Sequence, residues 1–413
     1  MTADRSAAVE QRPVGRDAPT FPVEPPLTAG LPNAAPEDQR PLEVEYAYDA
    51  VDPAAFDTPV SPGLDRWAQL LPPLAGAGLG AGGTPLLSVP AIGDWADVEG
   101  SVYLKDESQN PTWSHKDRLN RPIVSAALRA EARGLVAAST GNHGASAAAH
   151  AARNDLPAVV LTVPGTPPAM EEFVRSHGAA IVQLREHDGL VSVVDALATR
   201  GFHPATSRTA VHTGHPYGPE GYKTIAYEIY CQLGSVPGTV LVPTAFAELL
   251  YGVWKGFREL DQLGLAEDTP AMIACEPGRQ AAHVRARERG EPVVEIDAGE
   301  SDAHSIGGAT STHRGYLALE ASDGRAVAVP ETTIAEAQRR LSARGRWQEF
   351  SAAAAAGGLA VLDSVEAPVV VLGCSSGYKD GTDWSAPRVA GTVEAVAGAV
   401  ADEYGLDLSP RRP

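Results

Sequence analysis

The sequence predicts an α/β fold with two open parallel-sheet regions, and two observations carry that prediction. Between residues 117 and 200, short apolar runs of strand length alternate with stretches of helical periodicity. The same rhythm returns with wider spacing between residues 239 and 373. A chain of 413 residues, 44% of them hydrophobic, has the material for a large core and for two or three domains.

Residues 1–40 are rich in Pro, Ala and charge without periodicity, and read as a mobile tail or an arm lying on another surface. Residues 41–73 are mixed. Gly78, Gly80 and Gly83 formally match G-x-G-x-x-G, but a dinucleotide fingerprint must follow a strand and open a helix. This one follows Leu71-Pro72-Pro73 and runs into Thr84-Pro85, so it reads as a loop.

Asn120 then caps an expected helix with Pro122 in its first turn, ending at Gly134. A strand at 135–138, a helix at 144–153, a strand at 158–163, a helix at 170–177, a strand at 180–184 and a helix at 190–200 complete the first βα series. The second series comprises a strand at 239–242, a helix at 248–260, a strand at 271–275, a helix at 334–343 and a strand at 368–373. In the 248–260 helix, Leu249, Leu250, Val253, Trp254, Phe257 and Leu260 fall on one face, which predicts core. Residues 351–358, Ser-Ala-Ala-Ala-Ala-Ala-Gly-Gly, read as a tightly packed helix end.

The formal charge of −19 arises from 52 acidic against 33 basic residues with no long basic run, which argues against a nucleic-acid partner. Cys231, Cys275 and Cys374 are far apart and show no C-x-x-C spacing, as in a reducing compartment. The first residues lack an apolar signal core, and no stretch approaches the roughly 18 apolar residues of a membrane helix. A cytoplasmic protein without a membrane partner is expected.

Two segments can carry chemistry. Lys116 lies in Asn110-Pro-Thr-Trp-Ser-His-Lys-Asp-Arg118, at a loop-to-helix junction. Burial and nearby positive charge lower a lysine pKa and make its amine available to form an imine, although on its own Lys116 also reads as a surface lysine in a helix-start ion pair. The second is Ser139-Thr-Gly-Asn-His-Gly144, where backbone NH groups at a helix start make an anion site. Its plainer reading is a strand-to-helix turn that uses Gly and Asn for their φ freedom. His212 and His215 lack a third ligand at a recognisable spacing, so no metal site is expected.

Five ordered segments carry a resemblance: Tyr103 to Thr112, Ser114-His-Lys-Asp-Arg118, Ser139 to Gly144, Glu220-Gly-Tyr-Lys-Thr-Ile225 and Gly377-Tyr-Lys-Asp380. Together they resemble threonine synthase and its relatives, in fold type II of the pyridoxal-phosphate enzymes, which also holds the tryptophan synthase β-subunit. The resemblance runs from about Pro41 to about Asp402. It implies a cofactor cleft between two α/β domains, a larger one formed by residues 41–118 and 215–413 and a smaller one by 119–214. It further implies that Lys116 joins pyridoxal 5′-phosphate covalently, that Asn142 bonds its phenolate oxygen, and that Ser139, Thr140, Gly141 and His143 hold a substrate carboxylate. Cys374, or else Ser375, would be a neutral partner of the pyridine nitrogen, favouring elimination and replacement over transamination. Equally, Cys374 reads as a small buried residue ending a core strand.

The sequence departs from the family where a glycine-rich loop should approach the cofactor phosphate. Thr244, Ala245, Phe246 and Ala247 fill that position with no glycine, and Glu248 follows. Glu248 is expected to point away as a first-turn helix residue; otherwise phosphate binding is weakened. Trp113 stands where relatives often have glycine and His115 where threonine synthases often have phenylalanine. His115 and His143 are candidate proton carriers, although a packed or solvent-facing histidine is the commoner state.

The resulting expectation is a cytoplasmic lyase or replacement enzyme of amino-acid metabolism, converting O-phosphohomoserine to threonine and phosphate. Its alternatives are β-replacement or β-elimination on serine or O-phosphoserine, and a non-catalytic binding or regulatory homologue with a degenerate phosphate loop. Relatives are commonly dimers, so a homodimer is an expectation.

Overall fold

The computed structural model describes residues 6–16, 19–139, 141–164, 166–185, 189–209, 211–380, 387–390 and 392–406. Residues up to 379 form one compact unit and those from 380 another. In the second unit, α13 (Val393–Tyr404) is capped by the Thr392 hydroxyl, which accepts from the Ala395 NH at 3.2 Å.

The larger sheet of the first unit has the order β12-β11-β10-β13-β5-β4, made of β4 (Leu86–Ser88), β5 (Val102–Asp106), β10 (Thr239–Pro243), β11 (Ala271–Pro277), β12 (Arg325–Val329) and β13 (Val369–Gly373). Its strands are parallel except for β4, which runs antiparallel to β5 at the edge. The smaller sheet is wholly parallel in the order β8-β7-β6-β9, from β6 (Gly134–Ala138), β7 (Ala158–Thr162), β8 (Ala180–Gln183) and β9 (Phe202–Pro204). Strands covered on both faces read as continuous apolar runs, and β10 and β13 are buried at every residue.

Helices connect the strands, as parallel pairing requires. They are α1 (Pro90–Trp95), α2 (Lys116–Arg129), α3 (Asn142–Ala152), α4 (Pro168–Ser176), α5 (Leu190–Ala198), α6 (Gly218–Tyr222), α7 (Thr224–Leu233), α8 (Glu248–Gln262), α9 (Ala282–Arg289), α10 (His313–Ala321), α11 (Glu331–Ser342) and α12 (Ala354–Leu359). The predicted face of α8 is core: Leu250, Val253, Phe257 and Leu260 are fully enclosed, and Leu249 and Trp254 nearly so. The small side chains of α12 let it pack closely on the larger sheet, where a Cβ on Gly358 would meet the Cys275 Sγ at 2.3 Å. No helix among the described residues is long and apolar enough to cross a membrane.

Two expectations need correction. Residues 8–13 do not trail as a tail: they form β1 (Ala8–Pro13), antiparallel to both β2 (Phe21–Pro22) and β3 (Leu42–Tyr46). Buried Gln11 holds this strap, its amide donating to the carbonyls of Pro22, Val23 and Pro25 at 2.7, 3.0 and 3.1 Å. The second correction concerns α2, which starts at Lys116 rather than after Asn120 and carries Pro122 in its interior. Pro122 has no NH for the Arg118 carbonyl, and α6 packs against that gap; a Cβ on Gly221 would lie 1.9 Å from the Arg118 oxygen. The Gly78–Gly83 stretch is an irregular loop, and its Gly82 and Gly83 NH groups donate to Asn110 Oδ1 and Glu228 Oε1.

Candidate active site

Ligands of open α/β sheets gather at the carboxyl ends of the strands, and the predicted residues lie there. Beyond β5 the chain passes Ser114, which bridges to Ser375 just past β13, and the His115 NH donates to the Cys374 carbonyl at 2.9 Å. Lys116 is therefore presented by the first turn of α2 against the end of the larger sheet. Its Nζ donates to the Tyr222 hydroxyl at 3.0 Å. Burial pushes the Lys116 pKa below its usual value, more than the nearby Glu248 carboxylate raises it. The His115 Nδ1 lies 3.0 Å from the Cys374 carbonyl, an acceptor, so that nitrogen carries the ring proton. Burial and then Lys116 hold the His115 pKa well below 6.5, leaving a neutral imidazole.

At the end of β6 the chain turns into α3. The Ser139 hydroxyl accepts from the Gly141 NH at 3.2 Å, and the NH groups of Asn142, His143 and Gly144 meet no acceptor among the described residues. An open helix start of this kind receives an anion. Thr140 lies outside the described residues. Burial and then Lys116 lower the His143 pKa to about 4, so its ring is neutral near pH 7. Asn142 is held at both ends: its Oδ1 accepts from Lys379 Nζ and its Nδ2 donates to Glu349 Oε2 at 2.8 Å. An ammonium only donates, so Lys379 fixes which end of the amide is oxygen, and the second Nδ2 hydrogen has no acceptor among the described residues and can serve a ligand. Glu349 also accepts from the hydroxyls of Ser375 and Ser305. Burial raises the Cys374 pKa well above its usual value and keeps the thiol protonated.

The β10–α8 turn supplies the third part. Ala247 adopts the left-handed conformation at φ 58°, which favours glycine, and Trp113, where relatives often have glycine, has φ 59°. The NH groups of Ala245, Phe246, Ala247 and Glu248 have no acceptor among the described residues, a concave set of donors at the start of a helix. The Thr244 hydroxyl is spent on the Val242 carbonyl at 2.8 Å. Glu248, expected to point away, is largely enclosed and faces Arg314 and His212. Its carboxylate lies 3.5 Å from Arg314 Nη1 and 3.6 Å from His212 Nε2. Burial pushes this carboxyl up, but His212, Arg314 and Lys116 outweigh it and hold the pKa well below the usual range. The His212 ring stacks on Phe246 at 4.1 Å, while His215 faces His203, Nε2 to Nε2 at 2.9 Å.

Tyr222 and Lys379 stand within quoted motifs without a role, His212 is weighed in the sequence only as a metal ligand, and Glu349 and Arg314 are not singled out there. Each takes its meaning from partners distant in sequence, so no local pattern announces it.

A family model described as pyridoxal-phosphate dependent enzyme matches residues 78–375. The chain belongs to that family. Threonine synthase of Synechocystis sp. is 34% identical over 306 residues, 72% of this chain and 77% of that protein. Threonine synthase of Mycobacterium tuberculosis is 34% identical over 281 residues, 67% of this chain and 75% of its own. Among solved structures, maize serine racemase superposes with a TM-score of 0.61 at 17% identity, covering 71% of this chain and 88% of that one. Processed threonine deaminase isoform 2 of Solanum lycopersicum gives 0.60 at 20% identity, covering 73% and 84%. These superpositions establish the shared fold.

The residues present fit pyridoxal phosphate: a lysine amine of lowered pKa, an oriented amide, a buried neutral thiol and a bare NH nest at a helix start. Glu248, a carboxylate at the start of the same helix, opposes an anionic ligand.

Proposed function

We propose that this pyridoxal-phosphate-dependent lyase acts on an amino acid with a leaving group on its side chain, and that its reaction is that of threonine synthase. On this reading O-phosphohomoserine gives threonine and phosphate. The observation that carries it is Lys116, held by Tyr222 at the start of α2, in a site that also includes the open ends of α3 and α8. Sequence identity of 34% to threonine synthases supports the choice of substrate.

Pyridoxal phosphate bound through a lysine amine supplies an electron sink for charge developing at Cα. Lys116 holds the cofactor and carries protons at Cα and beyond, its lowered pKa suiting it to release and retake them. The NH groups at the start of α3, with Ser139, Gly141 and His143, hold the substrate carboxylate. Asn142 would donate to the ring oxygen, the NH groups of the β10–α8 turn would hold the phosphate, and Cys374, or else Ser375, would be the uncharged partner of the pyridine nitrogen. Residues 119–214 are read as a smaller α/β domain, apart from the larger cofactor domain. We place the chain in the cytoplasm, which its free thiols Cys231, Cys275 and Cys374 suit, and expect a homodimer, the common state of its relatives.

A second reading, β-elimination or β-replacement on serine or O-phosphoserine, draws on the two neutral imidazoles near Lys116, those of His115 and His143. One experiment separates the two. Holoprotein is given O-phosphohomoserine, O-phosphoserine and serine, and products are identified by mass. Threonine and phosphate from the first substrate alone are expected; pyruvate or a replaced serine would overturn the first reading in favour of the second.

A further inference from the structure

Glu248 is shaped into the site rather than left over in it. Its side chain is only 16% exposed, and Gly214, at φ +64°, stays bare beneath it: a Cβ there would stand 1.9 Å from Glu248 Oε1. Arg314 is fixed by the carbonyls of Thr213 and Leu42, both at 2.7 Å, and turns its Nη1 to the carboxylate, while its Nε meets no acceptor among the described residues. His212 is steadied by its stack on Phe246, inside the same turn that offers its NH groups. A carboxylate, a guanidinium, an imidazole and a set of open NH groups thus share one corner of the site.

We propose that Glu248 is a built-in negative charge at the phosphate-holding end of the site, so that this chain holds pyridoxal phosphate loosely and exchangeably, with Arg314 offsetting part of the repulsion. The inference rests on the cofactor placement given above. An anion brought to the α8 nest gains from the helix start and the NH groups but meets a fixed like charge within a few ångströms. Uncharged pyridoxal gains less from the nest and feels little of that repulsion. Its pull on Lys116 is common to both ligands, so the difference between them reports the action of the carboxylate on the 5′ substituent.

The test is a titration of the full chain freed of cofactor, in separate runs with pyridoxal 5′-phosphate and with pyridoxal, followed by absorbance and tryptophan fluorescence. Glu248→Gln is expected to tighten the phosphate form by about tenfold to hundredfold and to change pyridoxal by no more than about twofold. Glu248→Asp, which keeps the charge, should stay close to wild type. Should Glu248→Gln fail to fold, Arg314→Gln replaces it, with several-fold weaker binding of the phosphate form and pyridoxal changed by no more than about twofold. Equal affinities for the phosphate form, or shifts of the same size for both ligands, overturn this inference alone. Failure of every variant, wild type included, to bind either ligand overturns the inference and the cofactor placement together.

Discussion

Lys379 is a second amine in the cleft, and its chemistry differs from that of Lys116. It donates to the Thr112 carbonyl at 2.8 Å and to Asn142 Oδ1, and burial lowers its pKa to about 8 against the pull of Glu349 and Asp117. Below about pH 8 it is an ammonium that can only donate and so locks the Asn142 amide; as pH rises through that value it becomes an amine with a lone pair, its bond to Asn142 loses the assistance of charge, and the lock weakens. The rate should therefore fall as pH passes about 8. Lys379→Met should sit on the low plateau at all pH values, about tenfold to hundredfold down in kcat, because a misdirected amide misplaces the reacting ring. Lys379→Arg, still a donor, should move the falling limb to higher pH. A Lys379→Met enzyme that keeps the wild-type rate and pH profile would remove this role. Lys116 and Asn142 were legible in the sequence because each sits in a short run whose neighbours set its backbone. The direction of Glu248 was not, since it is decided by Arg314 and His212, residues that sequence does not place beside it.

At the scale of elements, α2 ties the active lysine to the deepest charge network. Arg118, two residues after Lys116, is fully enclosed and bonds Glu107 and Glu228 at 2.7 to 2.8 Å, and Lys105 shares Glu228 at 2.7 Å. The cations hold the Glu228 carboxyl far below its usual pKa despite burial. Arg118→Met would leave two buried carboxylates with one lysine between them, and such a break costs about 3–5 kcal/mol. Urea unfolding should report that loss, with activity falling in step as the start of α2 loosens; a loss under about 1 kcal/mol would show that the network is dispensable. The βα alternation was readable because each strand and helix writes its period locally. The start of α2 was misread because Pro122 resembles a first-turn proline, and its interior position is tolerated only where α6 brings Gly221 against the Arg118 carbonyl. The β1 strap was hidden for a related reason: its order comes from pairing with β3 and from Gln11, not from apolar periodicity.

Within the 1–379 unit, the segments after β5, β6, β10 and β13 supply Lys116, the α3 start, the α8 start and Cys374 respectively. The fold thereby brings an amine, two anion-receiving helix ends and a neutral thiol into one site from segments spread over more than half the chain. The central claim is that Lys116, and not the neighbouring Lys379, is the amine that takes the cofactor. Borohydride reduction of the holoprotein, digestion and mass spectrometry of the peptides test it directly. The account predicts a reduced pyridoxyl group on the peptide containing Lys116, absent from Lys116→Ala along with the visible absorbance. A label on Lys379, or a Lys116→Ala protein that keeps its spectrum and turnover, would contradict it.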